Sequence, residues 1–285
     1  MSKPQSGRAS RSTRKKSPLL AAQAAQAASA APMESILCSN PNFIWMMYAM
    51  VNEAERTTSA FPPHSTTVIG GAAFILHALH HHLRVHLLPK TNDIDIAWWY
   101  DTPLPPATFQ AHNQRLIGQL RKTITLYTPS ILEMVHIVSP RADVTIDITH
   151  SSYRNLTTTV VIAFHIDGRR VPIVDLAIKN GVYSQSRKPN GTRKKGRERL
   201  TNDPTYTSAA NTMEIMVGDP SIGDPAIHLP VRVPRLLPYM IHQVFAYLEV
   251  QDPTKKGRIM ERLRILIPFL RAEERRMVLS VYAQR

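Results

Sequence analysis

The stretch that most constrains this chain runs from Val68 to Trp99, VIGGAAFILHALHHHLRVHLLPKTNDIDIAWW. Gly70-Gly71 closes a short β-branched run, TTVI. An apolar, histidine-rich segment with helical spacing follows, and Pro89 breaks it. Then comes Thr91-Asn92-Asp93-Ile94-Asp95-Ile96-Ala97, with two carboxylates at i and i+2 in an apolar run. Side chains alternate along a strand, so Asp93 and Asp95 share one face about 7 Å apart, and Ile94, Ile96 and Trp98 take the core face. Like charges on one strand face repel and resist burial. A divalent cation such as Mg²⁺, held for phosphoryl transfer, is the usual reason to put them there.

The rest of the chain is compatible with such a site. Its 285 residues suffice for two modest domains or one with a tail, and 43% hydrophobic residues are ample for a core. The apolar runs are interrupted by His, Arg or Pro, so no membrane-spanning helix is expected. Cys38 is the single cysteine, which rules out an intrachain disulfide framework and points to a reducing, intracellular setting. A net charge of +14, from 35 basic against 21 acidic residues, suits polyanionic partners such as RNA, DNA or nucleotides.

The expected organisation has four parts. Residues 1–33 form a basic and then Ala-rich tail without an acid before Glu34, and their composition also suits nuclear or organellar targeting. Residues 34–183 form an α/β catalytic domain. It contains a helix to Thr58, a strand ending at the glycines, a helix over 71–88, a carboxylate strand over 90–100 and a helix over 107–127. Strands over 143–149, 157–166 and 170–179 complete it. Asp167-Gly168 between the last two reads as a type I′ hairpin turn. Residues 184–203 are a basic loop. Residues 204–285 are a mostly helical domain, with helices over 234–250, 255–270 and 272–282.

Nucleotidyl transfer needs the triphosphate held in line with a hydroxyl and the charge on the transferring phosphate neutralised. Two divalent ions supported by two or three carboxylates do this. Asp93 and Asp95 provide two. Asp175 in VPIVDLAI and Asp147 in VTIDIT are the candidates for the third, and Asp175, followed by the polar Asn180-Gly181, is favoured. Gly70 and Gly71 let backbone N–H groups approach phosphates at a helix N-terminus. Lys194 and Lys195 in the basic loop, and Lys255 and Lys256 in the C-terminal helices, are candidates for phosphate or RNA contacts.

The order Gly-Gly, helix, Thr-x-Asp-Ile-Asp-Ile and later strand Asp resembles the nucleotidyltransferase superfamily of DNA polymerase β, poly(A) polymerases and AbiEii-type toxins. Within it, TNDIDI, VPIVDLAI and PTKKGRIMERLRIL are similar to poly(A) polymerase catalytic subunits of large DNA viruses. The resemblance covers about Thr67 to Leu270. It implies a small mixed-sheet α/β (α+β) domain followed by a helical domain. It also implies template-independent transfer of AMP from ATP to RNA 3′ ends, supported by Mg²⁺ or Mn²⁺ in a two-metal site, in the cytoplasm or a virion. Gly70 and Gly71 then match the phosphate-binding turn, Asp93 and Asp95 the metal ligands, and Asp175 the third carboxylate. Many members have Gly-Ser where this chain has Gly-Gly. An AbiEii-like transferase acting on tRNA or protein, or a non-catalytic RNA-binding subunit, are the alternative readings. His82 and His86 stand at i, i+4, but nothing nearby completes a zinc site.

Overall fold

A computed structural model describes residues 32–58, 66–100, 104–153, 157–180, 209–217 and 230–283. The tail over residues 1–31 and the basic loop with Lys194 and Lys195 lie outside these. The described fold is mixed α/β: a five-stranded mixed sheet, a separate two-stranded sheet and seven helices.

Helix α1 (Met33–Leu37) leads into α2 (Pro41–Thr58), which begins where the Asn40 side chain accepts the Asn42 backbone N–H at 2.9 Å. Phe43, Ile44, Met47, Met50 and Val51 of α2 are fully buried, so this helix is an internal one. Strand β1 (Thr67–Ile69) runs directly into α3 (Gly70–His80). That helix ends eight residues earlier than its apolar pattern suggests. His82 adopts a left-handed φ of 57°, and the Leu83 N–H reaches back to Ala78 O at 2.9 Å. This is the Schellman arrangement, which terminates a helix. His86 falls in a separate 3₁₀ turn, so His82 and His86 do not share a helix face.

Strand β2 (Ile94–Trp99) is followed by α4 (Pro106–Val138), then β3 (Val144–Tyr153), β4 (Thr157–Ile166) and β5 (Arg169–Lys179). Helix α4 continues through Pro129 although the sequence suggests a stop near Tyr127. Ile131 and Val135 are fully buried and prolong the stripe begun by Leu116 and Leu120; this burial outweighs the lost backbone bond. The β4–β5 turn is built as its sequence demands, with Asp167 at φ 50° and Gly168 at φ 79°.

The strand order is β1-β2-β5-β4-β3, with β2 and β5 parallel and the other neighbours antiparallel. Alternation gives the sheet two unlike faces. Ile94, Ile96, Trp98, Val174, Leu176, Ile178, Val160 and Ile162 are buried on one face. There Asn113 of α4 donates to Thr158 at 2.8 Å, and Phe43 of α2 meets Phe164 edge-on. The other face shows Asp95, Ala97, Asp175, Ala177, Lys179 and Thr159.

The C-terminal third is less purely helical than expected. Strands β6 (Thr212–Ile215) and β7 (Val231–Pro234) pair with each other before α5 (Leu236–Glu249), α6 (Pro253–Leu266) and α7 (Ala272–Ala283). Four-residue strands are too short to declare themselves by alternation. Helix α6 begins as its sequence signals, with Asp252 accepting the Thr254 N–H and Pro253 at the first helical position.

Candidate active site

The second sheet face forms the floor of a cavity of about 450 Å³. Ile69, Gly70 and Gly71 line one side, the Thr91–Asp93 loop another, and α5 and α6 supply His242, Gln243, Lys255, Arg258 and Arg262.

The carboxylates meet because of strand register. Asp95 of β2 is the direct partner of Asp175 of β5, so their Cα atoms sit side by side on parallel strands. Adjacent strands lie about 4.8 Å apart. Asp93 stands at the entry to β2, two residues from Asp95 and on the cavity rim. Burial first, and then the charges of Asp93 and Asp175, push the Asp95 carboxyl well above the ordinary carboxylate range; Lys255 and Arg262 pull the other way. Burial and Asp93 likewise raise Asp175. Asp147, the alternative third carboxylate, is not brought here. It lies on β3, beyond β5 and β4, where Arg170 and His165 approach it at 3.4 and 3.5 Å.

Whether these residues suit a divalent cation can be tested on their own atoms. Asp175 Oδ1 is buried without a hydrogen-bond partner, and burial with the charge of Asp93 raises the proton affinity of both Asp95 and Asp175. A cation would relieve both costs. Among the described residues no group of three or more His, Cys, Asp or Glu forms a ready-made metal cage. Mg²⁺ does not require one, because it completes its shell with phosphate oxygens and water. The donor set therefore fits a hard cation arriving with a phosphate ligand.

The glycines are explained by what crowds them. Gly70 has φ +62°, and a Cβ there would land on Asp95 Oδ2. A Cβ on Gly71 would land on Thr91 Oγ1, with Arg262 Nη2 also within 2.8 Å. The place that a serine side chain at position 71 would fill is thus taken by the Thr91 hydroxyl and the Arg262 guanidinium. The Thr91 hydroxyl itself donates to Asp93 O at 3.1 Å, and its backbone N–H is held by Ser39 Oγ at 2.9 Å. Arg262 donates to Lys90 O at 3.2 Å and lies over the Phe74 ring, while its Nε is buried without a partner. Tyr239 of α5 donates its hydroxyl to Gly70 O at 3.1 Å. The C-terminal helices therefore hold the glycine turn and the carboxylate loop together.

Of the residues expected from sequence, Gly70, Gly71, Asp93, Asp95, Asp175 and Lys255 all line this cavity, while Lys256 does not and lies over the Tyr247 ring. Sequence reasoning missed Lys179 as a cavity residue. It is 7% exposed, and burial lowers its ammonium to about 8. Its i+4 spacing from Asp175 along a strand was the available signal. The Tyr239 anchor had no signal, because it depends on how α5 docks.

No protein-family model matches the chain, and no curated protein sequence does. Solved structures give weak matches. An antigenic nucleotidyltransferase-like protein from Paracoccidioides brasiliensis is 12% identical, covering 84% of this chain and 88% of that chain at a TM-score of 0.35. A candidate nucleotidyltransferase from H. pylori is 8% identical, covering 84% of this chain and 95% of that chain at a TM-score of 0.29. Likeness at this level carries no argument, so the functional reading rests on the geometry of the cavity. Among the described residues no helix is long and apolar enough to cross a membrane.

Proposed function

We propose that this chain is a divalent-metal-dependent nucleotidyltransferase that moves a nucleoside monophosphate from an NTP to a hydroxyl, with RNA 3′ ends as the acceptor class. The observation that carries this reading is the register pairing of Asp95 with Asp175, with Asp93 beside them, at a cavity that also holds the Gly70-Gly71 helix start. The +14 charge supports a nucleic-acid acceptor.

Each residue then has a task. The backbone N–H groups at the start of α3, together with Arg262, Arg258 and Lys255, receive the β- and γ-phosphates, where positive charge and a helix N-terminus favour anions. Asp93, Asp95 and Asp175 would hold Mg²⁺ or Mn²⁺, which supplies charge neutralisation at the transferring phosphate when bound. The acceptor hydroxyl oxygen forms a bond to the α-phosphorus as the bond from that phosphorus to the α–β bridging oxygen breaks. Pyrophosphate leaves with the electron pair. The hydroxyl proton passes to Asp175, whose proton affinity is raised by burial and by Asp93, and from there to solvent. The resemblance favours ATP as donor.

Incubation of the protein with each of the four α-labelled NTPs, short RNAs and Mg²⁺ or Mn²⁺ tests the proposal. Label is expected to enter the RNA with wild type and to fall at least about 100-fold with Asp93→Ala/Asp95→Ala. Equal, background-level labelling by both proteins with every NTP would remove the reading for these acceptors.

A further inference from the structure

The two helices that wall the cavity divide its charge between them. Helix α6 brings Lys255, Arg258 and Arg262. Helix α5 contains neither lysine nor arginine; it brings His242, Gln243, Ala246 and, at its end, Glu249. Gln243 is 4% exposed, yet its amide has no hydrogen-bond partner among the described residues. His242 beside it is already engaged within the chain. Tyr239, four residues before Gln243, shares its side of the helix and donates to Gly70 O. Gln243 therefore stands one helical turn, about 6 Å of rise, past the contact with the glycine turn. Glu249, further along, is exposed, so this wall runs from the glycine turn toward the cavity mouth.

We propose that Gln243 reads the ribose of the NTP at its 2′-hydroxyl and so selects ribonucleotides over 2′-deoxyribonucleotides. The proposal rests on the nucleotidyl-transfer reading, which sets the phosphates against the glycine turn and the α6 cations. An NTP is anionic at one end only. Its uncharged remainder is left to the wall that has no lysine or arginine. Ribose is the group bonded directly to the phosphates, and Gln243 is the unengaged polar side chain of that wall one turn past the glycine contact. Its chemistry matches the sugar. A primary amide carries two donors and an acceptor oxygen, and each hydroxyl of a vicinal diol can both donate and accept. The amide oxygen accepts from one hydroxyl while the amide nitrogen donates to the other. A 2′-deoxyribose leaves one of these amide groups unpaired where bulk water barely reaches. A site built to bond a hydroxyl rejects the analogue lacking it for this reason. Tyr239, Met240 and Val244 are buried around Gln243 on α5, which holds the amide in place.

The test is calorimetric titration of the full chain in Mg²⁺ with the α,β-methylene analogues of all four NTPs and with their 2′-deoxy counterparts. Wild type is compared with Gln243→Met, which keeps the length of the side chain, and with Gln243→Ala; either variant suffices if the other does not fold. Wild type is expected to bind each ribonucleotide about 10-fold or more tightly than its 2′-deoxy counterpart. In the variants the two sugars should come within about 3-fold of each other, chiefly through weaker binding of the ribonucleotides. Equal affinity of wild type for both sugars overturns this inference and leaves nucleotidyl transfer standing. So does a sugar preference unchanged in the variants, including the case in which the preference among bases shifts instead, which would assign the amide to the base. Failure of all eight analogues to bind wild type overturns the nucleotidyl-transfer reading, and the ribose assignment with it.

Discussion

Asp95 is the residue at which folding and function pull apart. Its carboxyl is raised by burial and by two neighbouring aspartates. The folded chain therefore holds a proton there that the unfolded chain releases near pH 4. The stability from this group is present below that pH and is lost as pH rises through the raised folded value. Metal-free protein at pH 7.5 bears the full cost. Asp95→Asn removes it, and is expected to raise stability in EDTA by roughly 1–3 kcal/mol. The gain should shrink toward pH 4. Mg²⁺ should raise the melting temperature of wild type and leave that of the variant unchanged; scanning calorimetry in EDTA and in Mg²⁺ reads both effects. Gly70 is constrained in the opposite sense, by space. With φ +62° and Asp95 Oδ2 where a Cβ would stand, Gly70→Ala is expected to cost about 2–4 kcal/mol in urea unfolding.

Among the elements, α3 is the one the site depends on most. Its first residues form the glycine turn, and its last turn is tied to β7 by His77, whose Nε2–H donates to Pro234 O at 2.9 Å. Burial lowers His77 from 6.5 to about 3, so the ring is neutral in the fold. Between those values the unfolded chain takes up a proton that the folded chain does not, and stability falls as pH falls, by about 1.4 kcal/mol per pH unit. Asp95 contributes the opposite slope in part of this window, so the informative quantity is a difference. The slope of stability against pH for His77→Leu, measured by urea unfolding from pH 6.5 to 5, should be lower than that of wild type by about one proton, so that the variant gains stability relative to wild type as pH falls. Equal slopes would mean that His77 titrates normally. The α6 helix contributes at the other side of the cavity. Arg262→Ala removes a guanidinium next to Gly71, and is expected to raise the KM for NTP about 10-fold or more.

At the scale of the whole molecule, what the sequence disclosed and what it hid have different physical origins. Local chemistry was legible. The Asp167-Gly168 turn, the Asp252-Pro253 helix start, the apolar face of β2 and the break between β1 and α3 follow from alternation and turn preferences of neighbouring residues. The expectation of an α/β chain follows from the same signals, while the mixed sheet was what the resemblance implied, and both match the architecture. The non-local facts were less accessible. That Asp175 lies beside Asp95 and Asp147 does not follows from the order β2-β5-β4-β3, which no short segment states. The crowding of Gly71 by the Thr91 hydroxyl and the Arg262 guanidinium depends on a loop and a helix far apart in sequence meeting at one glycine. Lys179 looked like the end of a hairpin strand, and only strand register shows that it closes the row begun by Asp175.

The central claim is that the Asp93–Asp95–Asp175 cluster performs metal-dependent nucleotidyl transfer, and strand order supplies its sharpest control. Transfer of label from α-labelled NTP to RNA should be measured side by side for wild type, Asp175→Asn and Asp147→Asn, at equal folded concentration. The account predicts that Asp175→Asn loses about 100-fold or more while Asp147→Asn, two strands away, stays within about 2-fold of wild type. Full activity in Asp175→Asn, or loss confined to Asp147→Asn, would contradict it.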